Sequence, residues 1–164
     1  MTSDELKYAV MQYWRFKRQA LYIATEVGGY TPNIKDVLMV CGKSIVEVEC
    51  KVSASDFLAD FKKRKHFYYA EGVEYYNTPN RLYYAVPHDL AINESVFDQF
   101  PKYGLLRVCK HDRFAGEYVV KFTRKAQEIK TQQSQGERMK DAHDVIFKRM
   151  ASEIINVHRR MLAN

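Results

Sequence analysis

The segment covering residues 36–52 is the feature that most constrains the fold. Two short apolar runs, at 36–41 and 44–52, flank the dipeptide Gly42-Lys43. Apolar, β-branched runs on either side of a glycine-containing turn are typical of a β-hairpin. A two-residue turn places Cys41 opposite Ser44, so the residue numbers of each facing pair sum to 85.

This register divides the hairpin into two faces, because side chains alternate along a strand. Asp36 falls directly opposite Glu49, with Cβ atoms about 4.5–5.5 Å apart. Two like charges at that separation destabilise a sheet, which favours a cation between them. One face is almost continuously apolar: Val37, Met39, Cys41, Val46, Val48, Cys50 and Val52. The other face carries charges away from the turn: Asp36, Glu47, Glu49 and Lys51.

Carboxylates and a lysine on one face suit a divalent-metal site. Mg²⁺ prefers hard oxygen ligands and keeps several waters, and a bound metal polarises a phosphoryl group and lowers the pKa of its water. Asp36 and Glu49 are the expected ligands, with Glu47 as a further one. Lys51 would orient or help to deprotonate the attacking water. The alternative is that all four are solvated charges on an exposed hairpin face.

The residues from Asp36 onwards resemble the PD-(D/E)XK nuclease superfamily. An aspartate that opens a strand, a glycine turn and Glu49-x-Lys51 match its motif. Segments 48–53, 56–60 with Lys63, 81–87 and 103–108 are similar to the MmcB-like DNA-repair branch, so the resemblance covers about residues 26–108. Lys35 stands where the motif has proline.

The resemblance implies a restriction-endonuclease-like α/β fold, a mixed sheet flanked by helices, with Mg²⁺- or Mn²⁺-dependent hydrolysis of DNA in repair, recombination or phage DNA metabolism. It places metal ligation on Asp36 and Glu49 and the catalytic lysine at Lys51. A further acidic ligand would be Glu5 on the first helix, or else Glu26. The competing hypotheses are an inactive nucleic-acid-binding module of the same fold, acting with a protein partner, and a protein-interaction factor that retains the fold.

The remaining pattern predicts a nuclease-like domain over residues 1–124 and a C-terminal helical extension over 125–164. Thr2 and Glu5 form a capping box, and apolar residues at helical spacing extend this first helix to the mid-twenties. A second helix follows Ser53, and strands are expected at 81–86, 105–109 and 118–122. The final helix would pack on the domain or, as the less favoured alternative, form a homodimer or bind a protein partner. Its apolar stripe comprises Met139, His143, Ile146, Met150, Ile154, Val157 and Met161.

Charge and composition indicate the kind of partner and compartment. The chain has 26 Lys and Arg against 20 Asp and Glu, a net charge of +6, which favours polyanions such as DNA. No apolar run is long enough to span a membrane, and the N-terminus lacks the pattern of a signal peptide, which predicts a cytosolic protein. The basic run after the second helix would contact the DNA backbone or, equally, be a solvated helix end: Lys62, Lys63, Arg64 and Lys65.

Overall fold

The computed structural model describes residues 1–31, 33–72 and 77–162. Within them, six strands form one mixed sheet whose spatial order follows the chain. The strands are β1 (Tyr22–Val27), β2 (Lys35–Cys41), β3 (Ser44–Cys50), β4 (Arg81–Pro87), β5 (Gly104–Lys110) and β6 (Tyr118–Arg124). Strands β1, β2 and β3 are antiparallel to their neighbours, β3, β4 and β5 are parallel, and β6 returns antiparallel to β5.

Helices cover both faces of the sheet, which confirms the expected α/β class with its mixed sheet and C-terminal helix. The helices are α1 (Ser3–Gln12), α2 (Ala54–Asp60), α3 (Lys65–Glu71), α4 (Val96–Gln99) and α5 (Gln135–Leu162). The face of the sheet that carries the apolar side of the hairpin packs on α1, and the opposite face packs on α2 to α5. No helix in these described ranges is long and apolar enough to cross a membrane.

The β2–β3 hairpin has the register that its turn predicts. Cys41 faces Ser44 and Val37 faces Val48, so the facing numbers sum to 85. Gly42 has a φ of 59°, in the left-handed region that glycine adopts without steric cost. The apolar face of the hairpin is part of the core under α1, together with Leu6 and Val10.

The first helix is shorter than its sequence pattern predicts. The Thr2 capping box is present, but α1 ends at Gln12 and continues only as a π-helical segment, Tyr13–Lys17. Gln19 then has a φ of 57°, and β1 begins at Tyr22. The helix prediction for 20–24 is therefore wrong, because these apolar residues pair with the edge of the hairpin instead: Ala24 faces Leu38.

The final helix is 28 residues long and uses its apolar stripe in two ways. In its first half, Ala142 and Ile146 are fully buried in a core shared with β1 and β2. In its second half, Ile154, Val157 and Met161 are exposed. The sheet therefore accounts for only the first part of the stripe.

Candidate functional site

The three residues of the nuclease-like motif come together at the end of the hairpin away from its turn. Lys51 Nζ lies 3.0 Å from Glu49 Oε2 and 3.7 Å from Asp36 Oδ2. Asp36 Oδ2 also accepts a hydrogen bond from the backbone N–H of Cys50 at 2.8 Å. The cation beside the two carboxylates in the structure is thus the ammonium group of Lys51. Because Glu49 and Lys51 are buried, they are not the solvated charges of the alternative interpretation.

Glu47 lies deeper than the motif, and both of its carboxylate oxygens are engaged. Lys65 Nζ donates to Oε1 at 3.2 Å, and the Tyr69 hydroxyl donates to Oε2 at 2.7 Å. Lys35 Nζ is 3.3 Å from Oε2 and donates to the Tyr69 hydroxyl at 2.9 Å. The side chains of Glu47, Lys35 and Lys65 have no exposed surface. The position of the motif's missing proline is therefore filled by a buried lysine that neutralises Glu47.

Two residues outside the motif complete the cluster, Asp60 at the end of α2 and Lys65 at the start of α3. Lys65 Nζ is 2.6 Å from Glu49 Oε1 and 3.3 Å from Asp60 Oδ2, and Lys51 Nζ is 3.3 Å from Asp60 Oδ1. One sequence signal indicates Asp60: it follows Phe57 by three residues, which places it on the inner face of α2. Lys65 had no such signal, because it sits in a run of four basic residues.

Behind Asp60 lies a layer of hydrogen-bonded aromatic side chains. The Tyr84 hydroxyl donates to Asp60 Oδ2 at 2.7 Å. The two ring nitrogens of His66 lie 3.0 Å from the Tyr103 hydroxyl and 3.0 Å from the Asp60 carbonyl oxygen. Phe61 stacks on both His66 and Tyr84. These contacts fix the position of Asp60, and through it the position of Lys51.

The two hairpin glutamates have opposite pKa shifts. Burial raises the pKa of Glu49 to about 7, and the carboxylates of Glu47, Asp60 and Asp36 add to this rise against the ammonium of Lys65. Burial would also raise the pKa of Glu47, but the ammonium groups of Lys35 and Lys65 and the Tyr69 hydrogen bond lower it to about 2. Glu49 is therefore the less well neutralised carboxylate.

The expected additional acidic ligands, Glu5 and Glu26, form ion pairs with other residues. Glu5 caps α1 and lies 2.7 Å from Lys110 Nζ. Glu26 is paired with Lys7. The register of β1 and β2 places Glu26 beside Asp36 in the sheet, since Thr25 faces Val37 and Val27 faces Lys35. Its φ of 52° is left-handed, a conformation that is uncommon for residues other than glycine.

The basic run does not form a single surface. Lys62, Lys63 and Arg64 are exposed, whereas Lys65 is fully buried among carboxylates. The expectation that Lys65 contacts a DNA backbone therefore needs correction, since its ammonium group neutralises Glu47 and Glu49 instead. Lys63 links the two regions, because its Nζ forms an ion pair with Asp60 Oδ1, the oxygen that also faces Lys51.

The arrangement fits a cation at Asp36 and Glu49 better than at Glu47. Asp36 is 21% exposed, and its Oδ1 accepts no hydrogen bond from any residue that the structure describes. Both oxygens of Glu47 are engaged in the interior by Lys65 and Tyr69. Both oxygens of Glu49 are also engaged, but the donor to its Oε2 is Lys51, which lies beside Asp36. Among residues 1–31, 33–72 and 77–162, no group of three or more His, Cys, Asp or Glu side chains is arranged to hold a metal. A metal here would have two protein carboxylates and would have to displace the Lys51 ammonium from between them.

The comparisons with known proteins show the fold alone. No family model matches the chain, and no curated protein matches it. Among solved structures, it is similar to the SPO1766 protein of unknown function from Silicibacter pomeroyi, with a TM-score of 0.58 and 21% sequence identity. The similarity covers 99% of this chain and 90% of that one, so the C-terminal helix lies within the shared region.

Proposed function

We propose that this protein is a metal-dependent nuclease of the PD-(D/E)XK type that hydrolyses DNA phosphodiester bonds at Asp36, Glu49 and Lys51. The observation that carries the proposal is the convergence of these three side chains at one end of the hairpin. Asp36 keeps one oxygen without a partner among the described residues, and Glu49 is its neighbour across Lys51.

The electrostatics of the cluster support a bound cation. Glu49 is only partly neutralised by its lysines, and a divalent cation next to it would favour the ionised carboxylate. Mg²⁺ or Mn²⁺ held by Asp36 and Glu49 would supply a Lewis acid for the phosphoryl oxygen and a water of lowered pKa. At Glu49 the metal would replace the Lys51 hydrogen bond to Oε2, whereas at Glu47 it would have to replace the interior donors Lys65 or Tyr69.

The protein's own groups have separate tasks in this proposal. With a metal at Asp36 and Glu49, the Lys51 ammonium would give up its contacts with those carboxylates and keep the one with Asp60, which lies 3.3 Å away. From there it would place a positive charge near the negative charge that develops on the phosphate. Lys65 keeps Glu49 in place at 2.6 Å. Glu49, Lys51, Asp60 and Lys65 are buried, so their charges interact more strongly than they would in water.

One observation favours a second candidate, a nucleic-acid-binding module that does not cleave. The cluster joins four carboxylates, Asp36, Glu47, Glu49 and Asp60, with four ammonium groups, Lys35, Lys51, Lys63 and Lys65. Because these charges balance, the folded protein needs no metal for neutrality. In that case the cluster would be a structural element beneath a basic surface.

Cleavage of labelled single-stranded, duplex and forked DNA distinguishes the two candidates. The wild type is assayed in Mg²⁺, Mn²⁺ and EDTA beside Asp36→Asn and Lys51→Met. Two exposed residues of the same types provide matched controls, Asp56→Asn and Lys110→Met. We expect metal-dependent cleavage that falls by at least roughly a hundredfold in the two site variants, as for removal of one transition-state contact, and that persists in the controls.

Two other outcomes would argue against the nuclease. Cleavage that persists in Lys51→Met at the wild-type rate would mean that the reaction uses other residues or comes from a contaminant. DNA binding without cleavage under any metal condition, in a preparation whose folding is confirmed by circular dichroism, would favour the binding module.

A further inference from the structure

An exposed aromatic side chain lies next to the basic surface at the corner between α2 and α3. Phe67 is 62% exposed. The three exposed cations Lys62, Lys63 and Arg64 precede it by three to five residues. The Arg64 guanidinium lies over the ring of Tyr68 at 5.8 Å from its centroid, and the Phe67 and Tyr68 rings are 5.8 Å apart.

The interior fixes the outward orientation of Phe67. Lys65, His66 and Tyr69 are all buried and bonded to the carboxylate cluster or to its aromatic layer. Their contacts set the rotation of α3, so Phe67 is on the opposite side. Lys63 lies four residues before Phe67, in the connection between α2 and α3. Phe67 therefore has Tyr68 as an aromatic neighbour at 5.8 Å, and most of its own surface is exposed to water.

This patch is connected directly to the candidate site. Lys63 pairs with the same Asp60 oxygen that lies 3.3 Å from Lys51 Nζ. Lys63 therefore joins the candidate site to the exposed surface that also carries Phe67, four residues further along the chain. Phe16 is also exposed and has a basic residue on either side, but it lies elsewhere. The carbonyl of nearby Arg18 contacts Cys41 at the turn end of the hairpin. Cys41 is six residues from Lys35, about 20 Å along β2.

We infer that Phe67, with Lys62, Lys63 and Arg64, is a binding site for single-stranded nucleic acid, in which an unpaired base stacks on the phenyl ring. This inference rests on the proposed function, because it names the substrate class of that site. In a duplex the faces of the bases are covered by their neighbours, whereas an unpaired strand offers them to an aromatic ring. Cations that follow the backbone beside aromatic rings that stack on bases are the general mode of single-strand binding.

Binding measured in EDTA tests this site independently of catalysis. Fluorescence anisotropy of labelled oligo-dT, oligo-U and a blunt DNA duplex of equal length is recorded for the wild type, Phe67→Ala, Phe67→Trp and the matched control Phe16→Ala. For Phe67→Ala we expect a loss of roughly 5- to 150-fold in single-strand affinity, the range for loss of one stacked base. Duplex affinity should be unchanged, Phe16→Ala should match the wild type, and the oligo-dT and oligo-U arms identify the preferred sugar.

The Phe67→Trp variant and the salt dependence provide readouts that a merely structural role would not change. Phe67→Trp should retain single-strand affinity, and its new exposed indole should be quenched by oligo-dT, whereas the native Trp14 is buried. Phe67→Ala should leave the salt slope unaltered because it removes no charge, while Arg64→Ala should lower it by about 0.7.

The inference is overturned if Phe67→Ala stays within twofold of the wild type, if it weakens duplex and single-strand binding equally, or if no strand binds. Cleavage results separate it from the nuclease proposal. Cleavage of duplex DNA alone, unaffected by Phe67→Ala, would retain the nuclease and remove this site. Stacking as expected, without cleavage in any metal, would retain this site and remove the nuclease.

Discussion

The raised pKa of Glu49 predicts how stability changes with pH. Burial and three neighbouring carboxylates raise this pKa from 4.5 to about 7. Between these values the folded protein holds a proton that the unfolded chain has released. The free energy of unfolding attributable to Glu49 therefore falls as the pH rises through this window. At 1.36 kcal/mol per pKa unit, and because the unfolded chain is already mostly ionised at pH 5, this contribution to the free energy of unfolding falls by about 2–3 kcal/mol between pH 5 and pH 8.

Glu49→Gln removes this titration and retains the shape of the side chain. We expect the stability of the variant relative to the wild type to rise by about 2–3 kcal/mol from pH 5 to pH 8. Groups that titrate equally in both proteins cancel in this difference. Urea unfolding in EDTA at several pH values, followed by the fluorescence of the single tryptophan, Trp14, measures it. A difference between the two proteins that stays constant within about 0.5 kcal/mol over this range would refute the reasoning.

Glu47→Gln is the matched control, because its pKa is shifted the other way. Lysine neighbours lower the pKa of Glu47 to about 2, so it stays ionised from pH 5 to pH 8 in the folded and unfolded states. Its stabilisation is present above the ordinary value of 4.5 and is lost only as the pH falls towards 2. Glu47 itself therefore adds no titration in this window, and its replacement should cost about 3–5 kcal/mol at pH 5 by leaving Lys35 and Lys65 undercompensated. Because the Glu47 carboxylate also raises the pKa of Glu49, we expect the fall in stability with pH to persist in Glu47→Gln but to be smaller than in the wild type.

Three further predictions concern the buried ion pairs, the proposed metal site and the packing around Gly104. Lys65→Met leaves buried carboxylates without their shared cation, so urea unfolding at pH 8 should show a loss of about 3–5 kcal/mol; a loss below about 1 kcal/mol would contradict the ion-pair assignment. Mn²⁺ at a hundredfold over its Kd should stabilise the wild type by about 2.7 kcal/mol, which is measured as a raised Tm. Equal stabilisation of Asp36→Asn would exclude Asp36 as a ligand. Gly104→Ala places a Cβ 2.4 Å from the Tyr83 ring and 2.7 Å from the Ala126 nitrogen. Urea unfolding should therefore show a loss of about 1–3 kcal/mol in the free energy of unfolding, and wild-type stability would mean that this packing relaxes easily.

The sequence predicted the hairpin because its determinants are local. Gly42 specifies the turn, and the period of two then assigns every side chain to a face. The resulting register holds from Cys41 to Val37, and it is enough to bring Asp36, Glu49 and Lys51 to one end of the hairpin. The same locality explains the correct capping of α1 by Thr2.

The sequence pattern predicts too long a first helix for the opposite reason, because the end of this helix depends on contacts distant in the chain. Residues 20–24 are apolar, and their spacing fits a helix, but they lie next to an unpaired edge of the hairpin. Pairing Ala24 with Leu38 supplies backbone hydrogen bonds to both strands. This preference depends on a segment that lies about fourteen residues further along the chain, so no window on the first helix contains it.

The sequence by itself determined which face of the hairpin carries the acidic residues and the lysine of the motif, and only the tertiary structure decided what neutralises them. Asp60 and Lys65 reach the cluster from α2 and α3, and their orientation depends on the aromatic packing of His66 and Tyr84. Lys65 is indistinguishable in sequence from its exposed neighbour Arg64. Burial separates the two, because a charge is held inside a protein only where opposite charges and hydrogen bonds replace its lost hydration.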